Sequence, residues 1–151
     1  QGVCREDYWP YVERSRGNPR GEAGASRYAN RVLTYSRVPG DMQALKEAMY
    51  WHGPIMASIP VDQRFAACGA DGVVSSGGLA LGGHAITLAG WDDARRAFRI
   101  RNSWGTTWGD RGDAWLPYWW PITEAWCCTP ALDAPPPTIP WWAHLIPWYQ
   151  G

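Results

Sequence analysis

Gly82-Gly83-His84-Ala85-Ile86-Thr87-Leu88-Ala89-Gly90-Trp91, followed by Asp92-Asp93-Ala94-Arg95 and then Phe98-Arg99-Ile100-Arg101-Asn102-Ser103-Trp104-Gly105, is the stretch that decides the fold. Ala85 to Trp91 is apolar enough for a buried strand, and the Asp-Asp-Ala-Arg segment carries turn chemistry. Beyond the turn, Phe98 and Ile100 alternate with Arg99 and Arg101, the pattern of a strand with one wet face. Two such strands joined by a short turn pair antiparallel, so the start of the first lies beside the end of the second. His84 and Asn102 each stand nine residues from Asp93. The spacing predicts that they meet at one end of the sheet, within hydrogen-bonding reach.

Upstream, Asp41 is a good helix N-cap, Met42, Leu45 and Met49 share one face at helical spacing, and Gly53-Pro54 ends the helix. Both methionines read as core filler. Ile55 to Val61 reads as a strand leaving that stop, and Arg31 to Val38 alternates as a weaker strand. Residues 1 to 13 read as an extended loop whose Tyr8-Trp9-Pro10-Tyr11 needs cover, and Arg14 to Ser26 as a surface loop. From Trp119 onward, Pro135-Pro136-Pro137, Pro140, Trp141-Trp142, Pro147 and Trp148 crowd a segment unsuited to regular helix or strand. That tail has three readings: a strap over an apolar face, a polyproline-like partner-binding segment, or the product of a reading-frame change.

The 151 residues suit one domain, and 46% apolar with 19% charged residues is the composition of a globular core. Fourteen basic and fourteen acidic residues cancel, so charge points to neither nucleic acid nor an anionic membrane. No basic stretch followed by an apolar run opens the chain and no run is long enough to span a bilayer, so neither a signal peptide nor a membrane segment is expected. A first residue Gln1 is expected to follow a cut in something longer. Cys4, Cys68, Cys127 and Cys128 are too few and too irregular for a disulfide scaffold, though one bridge from Cys4 or Cys68 to the adjacent pair is open. No Cys-x-x-Cys occurs, and His52, His84 and His144 stand apart from one another, so no metal or other cofactor is expected.

Several blocks in order resemble the papain-like cysteine peptidases, and more closely their bacterial members, over residues 1 to about 120. They are Gly2-Val3-Cys4-Arg5-Glu6 into Trp9-Pro10-Tyr11, Leu45-Lys46 through Gly53-Pro54-Ile55, Gly83-His84-Ala85 with Gly90-Trp91, and Arg101-Asn102-Ser103-Trp104-Gly105 with Trp108-Gly109 and Gly112. The resemblance implies an α+β fold: a β-barrel-like domain over 41–120, a remnant of the helical domain and the crossover over 1–40, and a Pro/Trp-rich tail over 121–151. It implies that His84 is the imidazole that pairs with a thiolate, and that Asn102 orients it. Trp104 would cover the His–Asn hydrogen bond, Trp108 would flank the leaving-group side of the cleft, and Ser58 and Gly83 would border the pocket for a substrate side chain.

The nucleophile is the missing part. In this family the histidine and asparagine follow the cysteine by roughly 130–150 residues, whereas 83 residues precede His84. The cysteine is therefore expected about 50–65 residues before Gln1. Reading Gln1-Gly2-Val3-Cys4 as the approach to the nucleophile instead puts Asp7 in its place, a dead site at the wrong spacing. The expectation is a cysteine-type peptidase acting on peptide or protein substrates, with the lone chain inactive for want of an N-terminal segment carrying the sulfur. The competing readings are a non-catalytic binding protein that has lost its nucleophile, and a two-chain enzyme whose other chain donates it.

Overall fold

The computed structural model describes residues 32–130. The expected loop over 1–13, the surface loop over 14–26, Cys4, His144 and the proline-rich tail lie outside the described residues. The chain divides into two compact units, 1–35 with 128–135, and 36–127 with 136–151. Of the first, the described residues are 32–35 and 128–130, which are the outer ends of two strands.

Among the described residues eight elements run in the order β1 (Val32–Val38), α1 (Met42–His52), β2 (Ile55–Asp62), α2 (Gln63–Ala66), β3 (Ala80–Asp92), β4 (Ala97–Arg101), β5 (Asp113–Pro117) and β6 (Glu124–Pro130). The strands form one six-stranded sheet in the order β1-β6-β2-β3-β4-β5. β2 is antiparallel to β3 and β6, and β4 to β3 and β5. The fold is α+β as expected, but the sheet is open, with β1 and β5 at its edges, and not a closed barrel. Strand β6 was not legible: Glu124 to Pro130 has no strand alternation strong enough to mark it, and it forms by inserting between β1 and β2.

Helix α1 begins as its sequence dictates. The Asp41 carboxylate accepts from the Ala44 N–H at 3.0 Å, filling one of the unpaired donors of the first turn. It ends at Gly53, whose N–H reaches the Met49 carbonyl at a φ of 78°, a conformation costly for any residue with a Cβ. The buried stripe is Leu45, Ala48 and Met49. Met42 is 44% exposed and is not core; it sits at the first helical position, a turn before the stripe that packs. Along β2, Ile55, Ala57, Ile59 and Val61 are buried while the residues between them face outward. These meet Ile86, Leu88, Phe98, Ile100, Ala114 and Leu116 in one core.

The β3–β4 hairpin forms around the predicted turn, with β3 beginning earlier than expected, at Ala80. Its register corrects one inference. Thr87 pairs with Arg101, and a bulge between Leu88 and Gly90 shifts the partners nearer the turn. Extending that register one residue sets Asn102 beside Ile86, so His84 is Asn102's diagonal neighbour and not its direct partner. Equal distance from Asp93 was not the cause of their meeting. The cause is parity: His84 precedes Ile86 and Leu88 at two-residue steps, and Asn102 follows Phe98 and Ile100 likewise, on the core-facing side of their strands.

Candidate active site

His84 and Asn102 continue the core stripes of two adjacent strands one step past the core itself. At that rim His84 is half-buried and Asn102 is 9% exposed. His84 Nε2 lies 2.8 Å from Asn102 Oδ1, and the same oxygen accepts the Ser103 backbone N–H at 2.8 Å. The second bond settles the orientation of the carboxamide, because turning it over would aim its NH2 at a donor. With an oxygen facing it, Nε2 carries the proton, and Nδ1 keeps a lone pair with no hydrogen-bond partner among the described residues. The second ring nitrogen is turned away from the asparagine.

Asn102 is held by its backbone as well, its N–H donating to the Gly112 carbonyl at 2.9 Å. Its Nδ2 is buried without a partner among the described residues. An unmet buried donor costs about 1–3 kcal/mol, so this side chain is kept for its oxygen at some expense in stability.

Trp104 lies over the imidazole, ring centroids 4.5 Å apart and planes 33° from parallel, and 39% of it is exposed. An indole face so placed favours a cationic ring. Trp108 is only 5% exposed. It stands beside Trp104 with ring centroids 5.9 Å apart and donates its Nε1–H to the Phe65 carbonyl at 3.1 Å. Gly109, next in the chain, has a φ of 58°, and a Cβ there would stand 2.3 Å from the Asp113 carbonyl oxygen, so the bend that returns the loop requires glycine.

Phe65 was not found from sequence. It has no exposed surface and its ring touches His84 at 6.2 Å, Trp104 at 5.7 Å, Trp108 at 5.2 Å and Trp120 at 5.8 Å. A lone phenylalanine between Gln63-Arg64 and Ala66-Ala67 has no periodicity to mark it. The one local signal was Asp62 three residues earlier, the spacing of an N-cap. Asp62 Oδ1 accepts from the Phe65 N–H at 2.9 Å, and Oδ2 from Ser76 Oγ at 2.9 Å and the Gly77 N–H at 2.7 Å. The Phe65 and Gly77 N–H groups hold its carboxyl below the usual carboxylate range. A depressed folded pKa adds stability above the unfolded value, near 3.9, and that stability is lost as the pH falls through the folded value. Thermal melts of the wild type and Asp62→Asn between pH 7 and pH 2 are expected to differ most at neutral pH and to converge in acid; parallel curves would refute the brace.

Ser58 and Gly83 come together on the other face of the sheet from His84. Ser58 pairs with Ala85 and Gly83 with Pro60, while His84 pairs with Ile59. Gly83 is exposed, with open space where a Cβ would stand. Of the cysteines, Cys68 and Cys127 are buried thiols. Burial, and then the charge of Asp71, push the Cys68 thiol up, opposite to what a nucleophile needs. Cys127 Sγ lies against the Ser36 carbonyl. His52 is exposed at the end of α1, apart from this site. Among the described residues no group of three metal-ligating side chains gathers.

The chain is 34% identical over 91 residues to cathepsin B-like cysteine proteinase 6 of Caenorhabditis elegans, a match covering 59% of this chain and 22% of that protein. It is 29% identical over 113 residues to the gut-specific cysteine proteinase of the same organism, covering 74% and 34%. Among solved structures it resembles xylellain, a cysteine protease from Xylella fastidiosa, at 27% identity and a TM-score of 0.70, covering 85% of this chain and 56% of that one. The chain thus spans 22% and 34% of the length of those two curated relatives. The model of the papain family cysteine proteases matches residues 1–117, across both strands that meet at His84 and Asn102, and the chain belongs to that family.

Proposed function

We propose that this chain supplies the histidine and asparagine of a bacterial-type papain-like peptidase, with the nucleophilic cysteine contributed from outside these 151 residues. The observation that carries the reading is the His84 Nε2···Asn102 Oδ1 contact, with the oxygen fixed by Ser103. Nδ1 takes the proton from a cysteine thiol, leaving a thiolate beside an imidazolium; the thiolate attacks the peptide carbonyl, and Nδ1–H then protonates the leaving amine. Asn102 keeps its hydrogen bond in both protonation states of the ring without adding charge. Trp104 excludes water from that bond, and Phe65 and Trp108 back Trp104. The likeness to xylellain supports the bacterial type. On this reading 41–120 is the histidine-bearing domain and 1–40 the remnant of its partner domain, with peptides or proteins as substrates and Ser58 and Gly83 beside a substrate side chain.

The test compares turnover of a fluorogenic peptide by the 151-residue chain and by the chain extended with its upstream coding segment. Only the extended form is expected to turn over, and a thiol alkylator to stop it. Alkylator-sensitive turnover by the shorter chain would show that it holds its own nucleophile. No turnover by the extended form would favour a binding protein.

A further inference from the structure

The loop 102–112 leaves the sheet at the end of β4 and returns at the start of β5, and it carries Asn102, Trp104 and Trp108. Its neck is the pair Arg101–Asp113, partners in the β4–β5 register. Arg101 grips the Asp113 carboxylate with two nitrogens, Nε at 2.6 Å and an Nη at 2.9 Å. Arg99, one step back on the same face, reaches Asp113 at 3.1 Å and Asp110 at 3.2 Å. The side chains of Arg99 and Asp113 are 16% and 15% exposed, so that pair is partly withdrawn from water, whereas the forked partner Arg101 is 68% exposed and contributes through its two-nitrogen geometry. The backbone of Asp113 is tied to Asp110 in both directions, at 2.8 and 3.1 Å. One residue inward lies the bond from Asn102 N–H to Gly112 O.

No part of this cluster touches the imidazole, and hairpin pairing alone calls for no carboxylate between two guanidinium groups. We propose that Asp113 is a positioning residue: by clasping Arg99 and Arg101 at the neck of the loop, it holds the Asn102 oxygen and the Trp104 ring on His84. The proposal rests on the peptidase reading for its meaning, but its test does not use activity. Releasing the clasp frees the neck to open, the Asn102 carbonyl leaves Nε2, and water reaches the ring.

The experiment reads solvent exchange of the His84 Nε2–H by NMR in the 151-residue chain labelled with 15N-histidine and 15N-tryptophan. The Trp120 Nε1–H, bonded to the Pro60 carbonyl at 2.9 Å, reports opening elsewhere in the same unit. Asp113→Ala is expected to speed exchange at His84 by about tenfold, the scale of one charge-assisted hydrogen bond, with Trp120 unchanged. Arg101→Lys, which keeps the charge but loses the fork, is expected to act in the same direction and less strongly. Should Asp113→Ala fail to fold, Asp113→Asn decides by the same readout. Equal acceleration at both protons would make Asp113 a stability residue only, and no acceleration at His84 in a folded variant would also overturn the proposal. Loss of peptidase activity in the extended enzyme's own test would leave this readout standing, so the two ideas fail separately.

Discussion

His84→Ala in the extended enzyme is expected to lower kcat by about 10⁴-fold with KM little changed. A positioned general base alone is worth about 10²–10⁴, and here the same ring also ionises the nucleophile, which places the loss at the upper end. The corresponding barrier is about 5 kcal/mol. A second readout separates chemistry from folding. Without its imidazolium partner the cysteine returns toward a pKa of about 8.5, so that only about 0.3% is thiolate at pH 6, and alkylation there should slow accordingly. His84 is half-buried at a rim, so its loss should leave the melting temperature nearly unchanged. A folded variant with kcat and alkylation rate near those of the parent would end the role of His84 as the catalytic base.

Phe65→Ala is the substitution expected to cost the fold most. The ring is fully buried and touches four aromatic rings, and removing such a side chain leaves a cavity costing about 3–5 kcal/mol. Against a typical domain stability of about 5–15 kcal/mol that is a large fraction, equivalent to a fall of about 6–20 °C in melting temperature. The Phe65 carbonyl would still accept the Trp108 indole N–H, so the loss measures the ring itself. Phe65→Leu keeps most of the volume and is expected to restore most of the stability. The site should loosen in parallel, with Trp104 less firmly set over His84. A melt of Phe65→Ala within about 2 °C of the wild type would show that the aromatic wall is not cohesive.

Much of the site was legible because it is encoded locally. The apolar run from Ala85, the Asp-Asp turn and the alternation of Phe98 to Arg101 force a hairpin, and period-two geometry then sets His84 and Asn102 on one face. The exact pairing was not legible, because a bulge at Leu88/Gly90 moves the register without leaving a mark that sequence spacing can read. Met42 misled for the opposite reason: helical spacing puts it on the apolar face, but only packing decides which turns of that face are covered.

From its sequence alone this protein is a hairpin-centred α+β chain with an imidazole and a carboxamide at one rim, since those features depend on neighbours a few residues apart. Tertiary structure alone decided that β6 enters between β1 and β2, that Phe65 backs the imidazole and Trp104, and that Ser103 turns the Asn102 oxygen toward His84. The physical reason is that local periodicity sets which face a side chain takes, whereas close packing between segments tens of residues apart sets what it meets there.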